Sequence, residues 1–290
     1  MPRRDYAGPG DLHAMQRLVQ RIWSPRSRWH VGDVAWGRYA IPGAEQTFRT
    51  SLWFDRGEVL AWGWAELPGH LNWATDPGRP ETAIEVVLWF EGVAESCELT
   101  ATILEPETHL ADALLAAGYV PDLDAPWFAH HHRGLEDIAA PDLPDGFRLH
   151  QVQPGQAAPR AAVHRAGWSD FGSRVSAESY ADVMAAWPYR PELDWVVETA
   201  GGEWVASALG WLDDHNAVGL LEPVGCAPAY RRRGLACAAN LAVLHAFREA
   251  GATSALVCPR GDDAYPVPGR LYRGIGFEPG ARTVTYHRPG

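Results

Sequence analysis

The chain of 290 residues carries one series of short motifs twice, in the same order. Each series has a tryptophan at the end of a helical pattern, a Gly-Trp pair in an apolar strand pattern, a proline loop entering a helix, and a Gly-aromatic-x-Pro ending. The pairs are Trp23 and Trp168, Gly63-Trp64 and Gly210-Trp211, Asp76-Pro77 and Ala227-Pro228, and Gly118-Tyr119-Val120-Pro121 and Gly276-Phe277-Glu278-Pro279. Their separations grow in order, from 145 to 147, 151 and 158 residues. Because the four pairs stay collinear, the sequence predicts an internal duplication.

The segment from Gly134 to Pro144 is rich in proline, aspartate and alanine and has no clear period. We therefore predict one domain over residues 1–135, a linker over 136–144 and a second domain over 145–290. In the second half the patterns predict strands near 147–152, 195–198, 204–211, 218–224, 254–258 and 283–287, and helices near 156–168, 177–187, 234–250 and 269–274. This succession is typical of an α/β domain with a mixed sheet.

Composition limits the class of function. The net charge of −11 argues against nucleic-acid binding, which needs a basic face, and suits a cationic substrate such as an amine. The chain contains no lysine, so no Schiff base can form on one. No apolar run is long enough to span a membrane, and we predict a cytoplasmic protein with no membrane contact.

The most informative segment is Arg231-Arg232-Arg233-Gly234-Leu235-Ala236, between the predicted strand that ends near Cys226 and a long helix. The first N–H groups of a helix lack partners, and the helix dipole is positive there. Gly234 and the small Ala236 would let a pyrophosphate approach the backbone, while the arginines add positive potential. Alone, the pattern fits a solvent-exposed helix start as well as a phosphate site.

Two motifs together resemble the GNAT superfamily of acyl-CoA-dependent N-acyltransferases. Arg231, Gly234 and Ala236 match motif A, (Gln/Arg)-x-x-Gly-x-(Gly/Ala), and Leu271-Tyr272 with Gly276-Phe277 match the end of motif B. The resemblance covers 145–290 well and the first half in outline. It implies two tandem GNAT-like domains, each a mixed, mostly antiparallel, twisted sheet flanked by helices. Tyr265 stands where many members carry an asparagine, which is a departure from the family's pattern.

The resemblance implies acetyl-CoA as the co-substrate. The backbone of Val224 and Cys226 would bind its pantetheine arm, and the N–H groups of 232–236 its pyrophosphate. An N–H of Val224 or Gly225 would polarise the thioester carbonyl. The expected cofactor-binding residues are Val224, Gly225, Cys226, Arg231, Arg232, Arg233, Gly234, Leu235, Ala236 and Tyr265.

Two side chains are candidates for proton transfer. Glu222 points to the same face of its strand as Val224 and Cys226, and it can take a proton from the attacking amine. Tyr272 can protonate the departing thiolate. The structural alternatives are a glutamate paired with an arginine and a core tyrosine.

The first half lacks these residues. Alignment on Asp76-Pro77 places Pro80, Ala83 and Glu85 opposite Arg231, Gly234 and Ala236, and Leu71 opposite Glu222. The first half is therefore expected to keep the fold, bind no CoA and help to shape the acceptor site.

Weaker candidates for substrate contact are Trp168, Asp170 and Phe171, and the carboxylates of Asp262 and Asp263. A metal site at His130-His131-His132 is disfavoured because adjacent strand residues point alternately and no carboxylate cluster accompanies them. A covalent intermediate on Cys226 or Cys237 is disfavoured because no His-Asp partner is evident.

The favoured interpretation is direct acetyl transfer to a primary amine of a small molecule, by a monomer or homodimer. One alternative changes the acyl group or uses a protein N-terminus as acceptor. Another, of a different class, is a non-catalytic CoA-binding sensor or interaction module.

Overall fold

The computed structural model describes residues 1–262 and 264–289. The first half contains β1 (Arg3–Asp5), α1 (Pro9–Ile22), α2 (Val31–Tyr39), β2 (Phe48–Asp55), β3 (Glu58–Glu66), β4 (His70–Thr75), α3 (Glu81–Val93), β5 (Leu99–Leu104), α4 (Thr108–Ala116), β6 (Val120–Asp122) and β7 (Ala129–Gly134). The second contains β8 (Phe147–Gln151), α5 (Ala157–Gly167), α6 (Ala177–Ala185), β9 (Asp194–Thr199), β10 (Trp204–Asp213), β11 (Val218–Cys226), α7 (Leu235–Glu249), β12 (Ser254–Val257), α8 (Val267–Gly274) and β13 (Glu278–Arg288). Within these residues no helix combines the length and apolar character that crossing a membrane needs.

The order of elements repeats from one half to the other, and every strand and helix predicted for 145–290 is present. Trp23 and Trp168 both follow the first helix of their half. Gly118 and Gly276 both have positive φ, which a glycine adopts without a Cβ penalty, and each precedes a buried aromatic residue. The predicted mixed, mostly antiparallel sheet flanked by helices is confirmed.

The strands form one continuous sheet in the order β1-β2-β3-β4-β5-β13-β7-β12-β11-β10-β9-β8. Within each half the one parallel contact lies in the middle, between β4 and β5 and between β11 and β12. All other pairs in that order are antiparallel.

The two halves exchange strands where they meet. β7 of the first half pairs with β12 of the second. β13 begins beside β7 and then runs along β5, with Thr283 opposite Leu104 and Arg288 opposite Leu99. Each half therefore completes the other's sheet, which the predicted boundaries at 135 and 145 did not anticipate. Periodicity identifies a strand but not its neighbours in the sheet.

The first half also packs its helix α2 onto the second half. Ala35 lies in one apolar cluster with Leu209, Trp211 and Leu256. The buried His30 accepts the N–H of Gly32 at Nδ1 (3.1 Å), so its Nε2 carries the proton and donates to the carbonyl of Val218 (3.2 Å). These contacts fix the first turn of α2 above β10 and β11.

Gly32 allows this close approach. A Cβ placed on it would lie 2.2 Å from Cγ of Trp211. We expect Gly32→Ala to lower the free energy of unfolding by about 1–3 kcal/mol, because a buried indole must move. Chemical denaturation measures the change.

The matched control is Gly92→Ala in α3, where a Cβ meets nothing within 4 Å. That change should leave stability unaltered or raise it by up to about 1 kcal/mol. Equal effects of the two substitutions would contradict the role assigned to Gly32.

Candidate functional site

The site begins where two parallel strands separate. β11 pairs with β12 only from Val218 to Leu220, whereas its pairing with β10 continues to Cys226. The N–H of Ala227 donates to Val205 on the β10 side (2.9 Å). Because N–H directions alternate along a strand, those of Val224 and Cys226 face the opening between β11 and β12.

The same alternation separates the two candidates for polarising a thioester. The N–H of Gly225 points toward β10, so the N–H of Val224 is the better placed of the pair. The carbonyl of Val224 also faces the opening, where it accepts from the indole N–H of Trp168 (3.1 Å). The opening therefore presents donors rather than free acceptors to a ligand.

The loop from Arg231 to Gly234 leads from this opening to the start of α7. Arg232 and Gly234 have φ of 64° and 79°, and left-handed residues within such a turn direct successive N–H groups into one concavity. Within the described residues, the N–H groups of residues 232–237 donate no hydrogen bond, and the first to find a partner is that of Ala238, bonded to Gly234. This is the geometry of an anion site at a helix N-terminus.

The three arginines of the loop have different positions. The guanidinium of Arg231 donates to the carbonyls of Cys226 (3.1 Å) and Gly167 (3.2 Å) and to the carboxylate of Asp170 (2.6 Å). It ties the loop to α5 and is committed within the protein, so the expectation that it binds the cofactor directly is not supported. Arg232 and Arg233 are exposed and remain available to phosphate. Leu235 buries its side chain and can offer only its N–H.

Glu222 and Tyr272 are brought together beside the opening. The side chain of Tyr272 is 7% exposed, and its hydroxyl makes no hydrogen bond with any described residue. Glu222 is partly accessible, and burial, together with the charge of Asp33, raises its pKa to about 8. The pKa of Tyr272 is raised by burial and by the nearby Glu222. A carboxyl and a phenol that share a site and titrate well apart suit acid–base chemistry.

Aromatic side chains cover the opening on its other side. The ring of Trp168 stacks on His164, with centroids 5.8 Å apart, and contacts Phe171 at 5.7 Å. Phe171 meets the edge of Tyr265 at 5.2 Å. The sequence candidates Trp168, Phe171 and Tyr265 therefore form one group, which bridges the residues after α5 and those before α8.

The carboxylates expected to contact substrate are placed less favourably. Asp170 pairs with Arg231, and Asp262 pairs with Arg260 and accepts the N–H of Ala264 (3.0 Å). Both carboxylates pair with an arginine of the chain, and the sequence alone does not show these partners. Asp263 lies outside the described residues.

The equivalent region of the first half is closed. Only five residues separate β4 from α3, against eight between β11 and α7, which shortens the turn that would hold a pyrophosphate. Gly63 on β3 pairs with Trp73 on β4, and the corresponding Gly210 on β10 pairs with Leu221 on β11. The first-half residue that corresponds to Glu222 is therefore Ala74. The sequence alignment that placed Leu71 there was wrong, because β11 carries a bulge and is longer than β4.

Side chains of the first half fill the gap between β4 and β5. Arg28 donates to the carbonyl of Thr102 (2.8 Å) and lies 3.5 Å from Oδ1 of Asn72. The indole of Trp29 donates to the carbonyl of Trp73 (2.7 Å), as that of Trp168 does to Val224. The chain itself therefore occupies the space that a pantetheine arm would need.

Sequence reasoning missed three residues around this site. Asp33 and Cys258 lie close enough for the charge of Asp33 to affect Glu222 and for Cys258 to affect Tyr272. Arg28 lies near both Asp33 and Cys258. A separation of almost two hundred residues hides Asp33, and no motif marks it except the capping box it forms with His30. Among the described residues no group of three or more His, Cys, Asp or Glu could hold a metal ion.

Comparison with known proteins places this geometry in a family. Residues 160–277 match the model of the Acetyltransferase (GNAT) family. A comparison with curated proteins gave no match. A GCN5-related N-acetyltransferase from Sphaerobacter thermophilus superposes with a TM-score of 0.62 at 20% identity, over 100% of this chain and 96% of that one.

Two further solved structures are similar over their whole length. A tandem GNAT protein from the clavulanic acid biosynthesis pathway has a TM-score of 0.65 at 16% identity, covering 99% of this chain and 97% of that one. An acetyltransferase from the GNAT family of Colwellia psychrerythraea has a TM-score of 0.64 at 10% identity, covering 100% of both chains. At such identities these similarities show the fold.

Residues 160–277 therefore carry a GNAT-family domain, and the whole chain has the tandem form of the GNAT fold. The match to the acetyltransferase family lies in the second half, where both motifs and the open strand gap are found. The family match over residues 160–277 indicates an acyl-CoA-dependent acyltransferase.

The raised pKa of Glu222 affects stability as well as chemistry. Its folded-state pKa of about 8 exceeds the ordinary 4.5, so between these values the unfolded chain ionises while the folded chain stays protonated. The stability that the protonated carboxyl contributes is complete below pH 4.5 and is lost as pH rises through 8. Glu222→Gln cannot ionise, so its stability relative to the parent should be higher at pH 9 than at pH 5.

Urea unfolding of both proteins at the two pH values measures this difference. Groups that titrate in both proteins cancel in the comparison. Exposed Glu178→Gln, whose pKa is lowered rather than raised, serves as the control and should show no gain at pH 9. A difference that does not change between pH 5 and pH 9 would contradict the raised pKa.

Proposed function

We propose that this protein is an acetyl-CoA-dependent N-acetyltransferase that moves an acetyl group directly to a primary amine of a small molecule. The observation that carries the proposal is the position of Glu222 and Tyr272 beside a strand opening that leads to unpaired N–H groups at the start of α7. This arrangement supplies a base, an acid and a phosphate cradle in the order that an extended acyl-CoA requires.

The cofactor would lie along the opening, with its pyrophosphate at residues 232–236 and its pantetheine arm beside Val224 and Cys226. The N–H of Val224 would meet the thioester oxygen and stabilise the negative charge that develops there. An acetyl group is proposed as the acyl group, and a longer acyl chain is the alternative.

Proton transfer follows from the two titrating side chains. The neutral amine attacks the thioester carbon, and the carboxylate of Glu222 takes its proton as the new C–N bond forms. The C–S bond then breaks, and the hydroxyl of Tyr272 gives its proton to the CoA thiolate. Because the thiolate is itself a good leaving group, the acid contributes less than the base.

Direct transfer in a ternary complex is favoured over an acyl-enzyme. Burial raises the pKa of the Cys226, Cys237 and Cys258 thiols, which keeps each in its less nucleophilic protonated form. The same pair of Glu222 and unpaired Tyr272 favours an enzyme over a non-catalytic CoA sensor. A protein N-terminus remains the alternative acceptor.

The first half is proposed to bind no CoA, on the grounds of its short loop and the Arg28 and Trp29 side chains in its strand gap. Domain limits of 1–135 and 145–290 describe the duplication along the chain, although the sheets exchange β7 and β13. The cytoplasmic location and the choice between monomer and homodimer stay predictions.

A free-thiol assay with acetyl-CoA and a panel of primary amines tests the activity. We expect Glu222→Gln to lower kcat/KM by about 10²–10⁴-fold, because the amine loses its base. Tyr272→Phe should lower it by no more than about 10²-fold. Glu178→Gln is the matched control and should leave kcat/KM unchanged.

The pH profile gives a second test. Since the base acts when deprotonated, kcat/KM should rise with pH through about 8, the pKa of Glu222. Tight CoA binding without thiol release on any amine, and with no effect of Glu222→Gln on binding, would support the sensor instead.

Calorimetric titration with acetyl-CoA tests the proposal for the first half. We expect one molecule bound per chain, because the gap between β4 and β5 is occupied by Arg28 and Trp29. Arg232→Ala together with Arg233→Ala should weaken that binding and leave stability unchanged. Two molecules per chain would overturn the assignment.

A further inference from the structure

A carboxylate of the first half lies at the catalytic pair of the second. Asp33 is in the first turn of α2, next to Gly32, whose Cα packs against Trp211. The indole N–H of Trp211 in turn donates to the carbonyl of Glu222 (2.6 Å). One tryptophan therefore separates the backbone of Asp33 from that of Glu222.

The side chain of Asp33 is held on one side and open on the other. Its Oδ2 accepts the N–H of His30 (2.8 Å), and His30 is anchored to Val218 of β11. Its Oδ1 accepts no hydrogen bond from the described residues, and the side chain is partly accessible. A carboxylate so fixed in direction, with one oxygen unused, is suited to binding a ligand cation.

Two other polar groups lie near Glu222. The hydroxyl of Tyr272, in a side chain that is more than nine-tenths buried, has no partner among the described residues. Cys258 lies near Asp33, Glu222 and Tyr272, and its thiol carries no positive charge. The surroundings of Glu222 are therefore polar and include residues of both halves.

The charges beyond Asp33 are mainly negative. Glu66 and Glu107 lie around Arg28, the one cation that affects Asp33. Three carboxylates thus face one guanidinium, which is already engaged with Thr102. This balance favours a ligand with positive charge over a zwitterionic amino acid.

We propose that the acceptor is a diamine or polyamine: one amine lies at Glu222 to receive the acetyl group, and a second, protonated amine pairs with Asp33. This inference rests on the proposed function and assigns to the first half a part in substrate recognition. Asp33 is a binding residue, and Glu222 remains the base.

Matched acceptors test the proposal with acetyl-CoA as donor. The set is 1,4-diaminobutane, butylamine and 4-aminobutyrate, which share a chain length and differ in the second group. For the parent enzyme we expect kcat/KM to fall by about tenfold or more from the diamine to the monoamine, and further to the amino acid, because a charged hydrogen bond to Asp33 is lost and then replaced by repulsion.

Asp33→Asn removes the charge while its amide oxygen can still accept from the N–H of His30. At pH 9, where Glu222 is ionised in both proteins, we expect KM for the diamine to rise about tenfold or more, KM for butylamine to stay within about twofold, and kcat for the diamine to stay similar. Exposed Asp182→Asn on α6 is the matched control and should keep the parent's preference.

The pH profile with butylamine gives a readout that does not depend on the second amine. Three titratable groups lie near Glu222: Asp33 on α2, Tyr272 on α8 and Cys258 after β12. Of these three groups, only Asp33 carries a charge at neutral pH. In Asp33→Asn the rising limb of kcat/KM should therefore move to lower pH. Unfolding measurements verify that the variant is folded.

The outcomes separate the two levels of inference. If no amine releases thiol, the proposed function fails. If amines react but the diamine has no advantage, or if Asp33→Asn lowers activity toward all acceptors equally, the acceptor site is wrong while the acetyltransferase stands.

Discussion

The exchange of β7 and β13 is the constraint on which the rest of the structure depends. Hydrogen bonds from each strand to the other half's sheet turn two similar units into one continuous sheet. The first turn of α2 can then pack on β10 and β11 at van der Waals distance. A site between two units is precise only if the units cannot shift, and backbone pairing supplies that rigidity.

The strand gaps of the two halves differ. In the second half the gap is open, and the N–H groups of Val224 and Cys226 face it. In the first half Arg28 and Trp29 close it with hydrogen bonds to the backbone of Thr102 and Trp73. The closed gap satisfies backbone groups that would otherwise be buried without partners, and it brings Arg28 to the edge of the space next to Asp33.

The sequence predicted the strands and helices of the second half because their apolar periods are regular and their ends are marked by glycine and proline. It also predicted one site for Glu222, from its position on the strand before motif A, and for Tyr272, from motif B, and the two side chains lie near each other. It could not predict Asp33, since side chains from distant segments meet only through packing. Nor could it show that Arg231 and Asp170 pair with each other, because a motif specifies residue types and not the partners of their charges. The misplacement of Leu71 came from the greater length of β11, which includes a bulge, because an ungapped alignment cannot represent extra residues.

The crossing of β13 has a consequence for how this protein is made. A ribosome delivers β1 to β7 long before β13, so the edge of β5 must wait unpaired while more than 170 further residues are synthesised. Until then an exposed strand edge invites pairing with other chains. The first half therefore cannot complete its sheet before the second half has been synthesised. Protection by a chaperone would matter most while only the first half has been made.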